Sequence, residues 1–134
     1  MRFELIDRIL EHAPGRLVGV KSISLAEEYL QDHFAGFPIL PGVFMLEAMT
    51  QAARRLAAAD GDGPRRLVLG RVRALKYGAV ARPGDTLRVT VERQADPLDF
   101  KARCELHRFD APPGSASPIA AAGRITLRPL TGGG

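Results

Sequence analysis

The stretch from Asp32 to Ala53, DHFAGFPILPGVFMLEAMTQAA, holds the residue types best suited to moving protons. His33 opens it, and Glu47 stands fourteen residues on, among Val43, Phe44, Met45, Leu46, Ala48 and Met49. An imidazole titrates near neutrality and can take up a proton. A carboxyl enclosed by apolar side chains loses the hydration of its charged form, which favours a proton donor at neutral pH. Between the two, Gly42 opens a predicted helix. The first N–H groups of a helix have no partner inside it, and the dipole there favours negative charge. Gly42 has no side chain to block those donors. At ~1.5 Å per residue, Glu47 lies about 7.5 Å along the axis from them. A base, an acid and an oxyanion site suit removal of a proton next to a carbonyl, followed by departure of a β-hydroxyl as water.

Plainer roles exist for each residue. His33 could be a hydrogen-bonded loop residue, and Glu47 could pair with an arginine from elsewhere. Gln51, one turn beyond Glu47, could hydrogen-bond its carboxyl for structural reasons. His12 and His107 have no such company and read as structural or exposed. Cys104 falls on an alternating strand pattern and reads as a small core residue. No second histidine or acidic cluster has metal-ligand spacing, so neither a metal nor a cofactor is expected.

The elements that must position these groups follow from periodicity and turn chemistry. The pattern from Gly42 to about Ala59 is helical, with Pro41 at its mouth and Asp60-Gly61 closing it. Its first three turns are apolar on nearly every face, which predicts a helix buried all round. Pro14-Gly15 separates two apolar runs and predicts a hairpin over the first twenty-odd residues, with a helix at the start as the alternative. LAEEYL reads as a short helical turn and HFAGFPILPG as a loop. RLVLGRVRAL, TLRVTVERQ, LDFKARCELHRF and IAAAGRITLRPL read as strands, with RPGD as the turn between the first two. One helix and about five mostly antiparallel strands make an α+β fold.

At 134 residues the chain is expected to form one domain, over residues 1–130, with a disordered Gly-rich tail at 131–134. The longest apolar stretch is interrupted by Pro38, Pro41, Gly42 and Glu47, so no transmembrane helix is expected. One cysteine excludes an internal disulfide and suits a reducing, cytoplasmic setting. The net charge of +4 comes from dispersed arginines without a basic helix or an aromatic RNA-binding run, so nucleic acid is not an expected partner.

HFAGFPILPGVFMLEAMTQ resembles the active-site segment of the β-hydroxyacyl-acyl-carrier-protein dehydratases of type II fatty-acid synthesis, the FabZ type. That family reads GHFPG, then P…PGV, then a helix with EAMAQ. The match falls at His33, Phe34, Gly36, Pro38, Pro41, Gly42, Val43, Glu47, Ala48, Met49 and Gln51, with the family's own spacing from histidine to glutamate. The likeness extends over about Phe3 to Leu127, through LIDRILEHAPGRLVGVKSIS and RALKYGAVARPGDTL.

The resemblance implies a hotdog fold, an antiparallel sheet wrapped around one long helix. It implies a homodimer, or a trimer of dimers, that sets the histidine of one subunit against the glutamate of the other. His33 would be the base and Glu47 the acid. Gly42 would donate its N–H to the thioester carbonyl, with Val43 and Ile39 lining the substrate and Gln51 and Phe37 in support. The substrate would be a (3R)-hydroxyacyl chain on acyl carrier protein, with Lys76 and Arg82 as the basic contacts for that acidic partner and the helix end at Arg54 and Arg55 as the competing location. A hotdog thioesterase and a non-catalytic acyl-binding protein are the alternatives. The sequence departs from the family at Asp32 for glycine, at Ala35 for proline, at Phe37 where a polar residue is frequent, and at the N-terminus, where the family's first helix has no counterpart.

Overall fold

A computed structural model describes residues 5–23, 42–62 and 66–130. Six strands form one antiparallel sheet. They are β1 (Arg8–Ala13), β2 (Arg16–Ser22), β3 (Leu67–Tyr77), β4 (Thr86–Arg93), β5 (Asp99–His107) and β6 (Ile119–Pro129), in the order β1-β2-β4-β5-β6-β3. The first segment is the expected hairpin, turned at Gly15, whose φ of 77° is in the left-handed region. The sheet has six strands, one more than the periodicity suggested.

Strict alternation explains why β4 and β5 form as they do. Leu87, Val89 and Val91 on β4, and Phe100, Ala102, Cys104 and Leu106 on β5, all turn to the inner face and are buried. One inner row runs across five strands: Gly19 on β2, Val89, Cys104, Ala121 on β6, and Tyr77 at the end of β3.

Helix α1 (Gly42–Ala57) lies on that face, in contact with β2 through β6. Met45, Ala48, Met49, Ala52, Ala53, Leu56 and Ala57 are its buried residues. Four alanines against Ala102, Cys104, Ala120 and Ala121 let helix and sheet approach closely; the Cys104 Sγ is 3.9 Å from the Met45 carbonyl oxygen. A short π-turn, Ala58–Asp62, ends the helix, with Gly61 at φ 113° as the Asp60-Gly61 signal predicted. The Asp60 carboxylate accepts from the Gly15 N–H at 3.0 Å and pairs with Arg93 at 3.1 Å, fastening the helix exit to the first hairpin and to the end of β4.

The expectation of a helix buried all round needs correction. Val43 is 64% exposed, Glu47 is exposed, and Gln51 and Arg54 are half-buried, so one stripe of α1 faces outward. A sheet covers only one side of a helix lying on it. The apolar residues flanking Glu47 do not close over it within this chain.

Candidate active site

The end of β3 meets the N-terminus of α1. Tyr77, on the inner face at the end of β3, lies so near Gly42 that a Cβ there would meet the ring Cε1 at 2.9 Å and Cζ at 3.0 Å. Gly42 is therefore a close-approach glycine, and the phenol ring flanks the helix mouth, where the first N–H groups have no partner within the helix itself. Val43 is exposed beside it. Tyr77 was not among the residues singled out from the sequence. Its signal was an aromatic ending a strand just before Gly78, in LKYGAV.

Glu47 follows one turn on, along the outward stripe. Its Oε1 accepts from Gln51 Nε2 at 3.4 Å and from Arg54 Nη2 at 3.5 Å. The Gln51 amide is oriented by its other end, because Oε1 accepts the Leu5 backbone N–H at 2.9 Å. A backbone N–H can only donate, so the amide oxygen must face Leu5 and the NH₂ must face Glu47. Gln51 thus hydrogen-bonds the Glu47 carboxyl, the contact its one-turn spacing allowed for structural reasons, and the N-terminal segment fixes its direction. Arg54 is the arginine partner raised by the plainer reading of Glu47, supplied from two turns along the same helix. The carboxylate is 48% exposed, open to whatever covers this stripe.

His33, Phe37 and Ile39 lie outside the described residues, as do Asp32, Ala35 and the expected LAEEYL turn. His12 is exposed on β1, and His107 at the end of β5 makes its contact with Ser117 Oγ, at 3.2 Å from Nδ1. Burial pushes the Cys104 thiol up to about 12, so it is no nucleophile at neutral pH. Among the described residues no group of three or more His, Cys, Asp or Glu could hold a metal ion. Among the same residues no helix is long and apolar enough to cross a membrane.

The two basic residues expected to meet the carrier protein lie on the outer face of the sheet and in a turn. Lys76 pairs in register with Ala122, on the outer face of the sheet. Arg82 is exposed in the RPGD turn, its backbone N–H held by Asp85 Oδ2 at 3.0 Å. Asp85 is buried and takes a further 2.8 Å hydrogen bond from Arg108, whose guanidinium also donates to the Val80 carbonyl at 2.9 Å. The PGD turn is therefore clamped to the end of β5.

A long helix laid along an antiparallel sheet, with its N-terminus and one carboxylate at an open edge, defines a hotdog protein. The solved structure of the dehydratase heterocomplex ApeI:P from Xenorhabdus doucetiae superposes with a TM-score of 0.72 over 94% of this chain and 98% of that one, at 17% identity, which establishes the fold. Residues 11–109 match the family described as ApeI-like, ApeI dehydratase. A protein of Latilactobacillus sakei named 3-hydroxyacyl-[acyl-carrier-protein] dehydratase FabZ is 45% identical over 96 residues, 69% of each chain. A protein of the same name from Geobacter metallireducens is 43% identical over 66% of this chain and 62% of its own length. The matched part of this chain thus spans about two thirds of those relatives. The chain belongs to the FabZ-type family of hotdog dehydratases.

Proposed function

We propose that the chain eliminates water from a (3R)-hydroxyacyl thioester carried by acyl carrier protein, giving a trans-2-enoyl thioester. The observation that carries this reading is the placement of Glu47 on the outward stripe of α1, one turn from the helix N-terminus at Gly42, inside a family match that also takes in His33. In this reading His33 removes the proton from the carbon next to the thioester carbonyl. The developing enolate oxygen is held by the Gly42 N–H, aided by the helix dipole. Glu47 gives its proton to the β-hydroxyl, which leaves as water while the new double bond forms. Proton transfer between the two groups or through solvent restores the starting state. Val43 and Ile39 line the acyl chain, with Phe37 and Gln51 in support.

A homodimer completes the site, and a trimer of dimers is the larger assembly consistent with it. The exposed Val43, Tyr77, Val80 and Ile119, near the open edge of β3, supply an apolar surface for the second copy. Lys76 and Arg82 meet the acidic carrier protein, and the protein works in the cytoplasm without a cofactor.

A second reading, a non-catalytic acyl-binding subunit, is favoured by one contact. A carboxylate paired to Arg54 is an acceptor, and only its protonated form can serve as an acid. A hotdog thioesterase is the third possibility. Incubation with a crotonyl thioester separates all three. Reversible hydration of the double bond supports the dehydratase, release of free thiol without hydration supports the thioesterase, and neither reaction leaves the binder.

A further inference from the structure

The outer face of the sheet carries charge in an arrangement that the proposed dehydration does not use. One transverse row reads Glu92 on β4, Lys101 on β5, Arg124 on β6 and Arg73 on β3, each directly opposite the next. The adjacent row reads Thr90, Arg103, Ala122 and Lys76. Like charges directly opposite in a sheet repel and destabilise it. Here Lys101 faces Arg124 and Arg124 faces Arg73, three cations in sequence across three strands.

These two rows enclose a hollow of about 290 Å³, lined by Lys76, Lys101, Arg103 and Arg124 over a floor that includes Ala74, Ala122 and Gly123. Its shape comes from β3. A bulge between Arg73 and Lys76 shifts the register, and Ala74 adopts φ 53°, the only positive value outside glycine among the described residues. A left-handed alanine stores backbone strain, and such strain gathers where a site is being shaped. The bulge tucks Leu75 inward against Gly123, where a Cβ would meet Leu75 Cα at 3.1 Å, and leaves the outer side open.

The charges are only partly answered. Asp99 pairs with Arg73 at 3.1 Å and with Arg124 at 3.4 Å. Arg103 has Glu105 at 3.1 Å and Glu92 at 3.9 Å. The side chains of Lys76 and Lys101 have no ion-pair or hydrogen-bond partner among the described residues. The Arg124 Nε–H is shut from solvent and has no acceptor there either. Five cations and three carboxylates leave a surplus of two positive charges.

We propose that this hollow binds a small organic phosphate, its dianionic group held between Lys76, Lys101 and Arg124 and its uncharged part resting on the alanine floor. A phosphate ester carries about −1.5 to −2 at neutral pH, which meets the surplus charge. The volume is near the lower end of small-molecule pockets, roughly 300 Å³, and exceeds what inorganic phosphate alone would fill.

Isothermal titration of the full chain at low salt tests this, with phenyl phosphate, inorganic phosphate and uncharged phenol as probes. Phenyl phosphate is expected to bind more tightly than inorganic phosphate, and phenol not at all. Because Lys76 is shared with the proposed carrier contact, the variants avoid it. Lys101→Glu should weaken phenyl phosphate at least about tenfold, and Ala122→Leu, which fills the floor without changing charge, should weaken it comparably. Arg128→Glu makes the same charge change on the same face outside the hollow and should leave affinity within about threefold. Equal weakening by Lys101→Glu and Arg128→Glu would mean diffuse attraction to a basic face, and would overturn the proposal. So would inorganic phosphate binding as tightly as phenyl phosphate, or no heat from either anion.

Discussion

Replacing Glu47 with Gln separates a catalytic carboxyl from a structural one, because the geometry assigns very different magnitudes to the two roles. The carboxylate is half exposed, and its contacts with Gln51 and Arg54, at 3.4 and 3.5 Å, are at the outer limit of hydrogen bonding. Exposed pairs of this kind contribute about 0.2–0.5 kcal/mol. Glutamine has the same shape and keeps an acceptor for both partners. The melting temperature should therefore fall by no more than about 2 °C. A general acid, by contrast, contributes roughly 10²–10⁴ in rate, which is about 3–5.5 kcal/mol of barrier. Scanning calorimetry beside a crotonyl-thioester hydration assay reads both numbers from one preparation. The expected result is an unchanged melt and a rate at least a hundredfold lower. A rate within tenfold of the parent would refute the acid role, and a joint loss of activity and stability would make Glu47 a structural residue.

Other outcomes follow from particular contacts. Asp85→Ala strips the acceptor from a buried clamp, but Arg108 keeps the Val80 carbonyl and some solvent, so the loss should be about 2–3 kcal/mol in urea unfolding, below the range for a fully buried pair. Cys104 should resist a thiol reagent at pH 8 in the native protein and react fully in denaturant. Because its folded pKa is raised from 9.0 to about 12, its contribution is complete below pH 9 and fades as pH climbs towards 12, by up to roughly 4 kcal/mol, a slope that Cys104→Ala should lack in denaturation measured across that range. At Gly78 a Cβ would strike the Ile119 carbonyl oxygen, so Gly78→Ala should unseat the end of the β3–β6 ladder and lower stability by about 1–3 kcal/mol by chemical denaturation. Mixing His33→Ala with Glu47→Gln subunits should restore part of the lost hydration activity if the site is shared between two chains; a mixture as inactive as its components would place both residues within one.

Local signals carried most of the fold. Period-two alternation put Leu87, Val89 and Val91 on one face and located β4 and β5, while Asp60-Gly61 marked the end of the helix, because turn and strand chemistry acts over a few residues. What failed to show depends on partners distant in sequence. Val43 is apolar although the sheet leaves it exposed, so the outward stripe of α1 was invisible. An arginine partner for Glu47 was legible as a possibility, but that it is Arg54, two turns along the same helix, was not. Tyr77 meets Gly42 only because β3 crosses to the far edge of the sheet, and the cation row on the outer face exists only once β5, β6 and β3 are in register. The chemistry expected of the site rests on the family resemblance, because spacing alone left its residues open between catalytic and structural roles.

The strand order also sets a timetable for synthesis. β3 emerges after α1, yet among the described strands its only neighbour in the sheet is β6. About fifty residues separate the end of one from the end of the other. At roughly 5–20 residues per second the ribosome needs about 3–10 s to cover them. Throughout that interval Leu67, Leu69, Val72 and Leu75 have no strand to pair beside. β4 and β5 can join the first hairpin meanwhile, so a nascent chain passes through a stage with four strands paired and one edge waiting. A chaperone that shields extended apolar segments would have its window there. A stop before Ile119 would strand β3 and unpair one side of β5 together, so loss of the last strand should be felt at two places in the sheet.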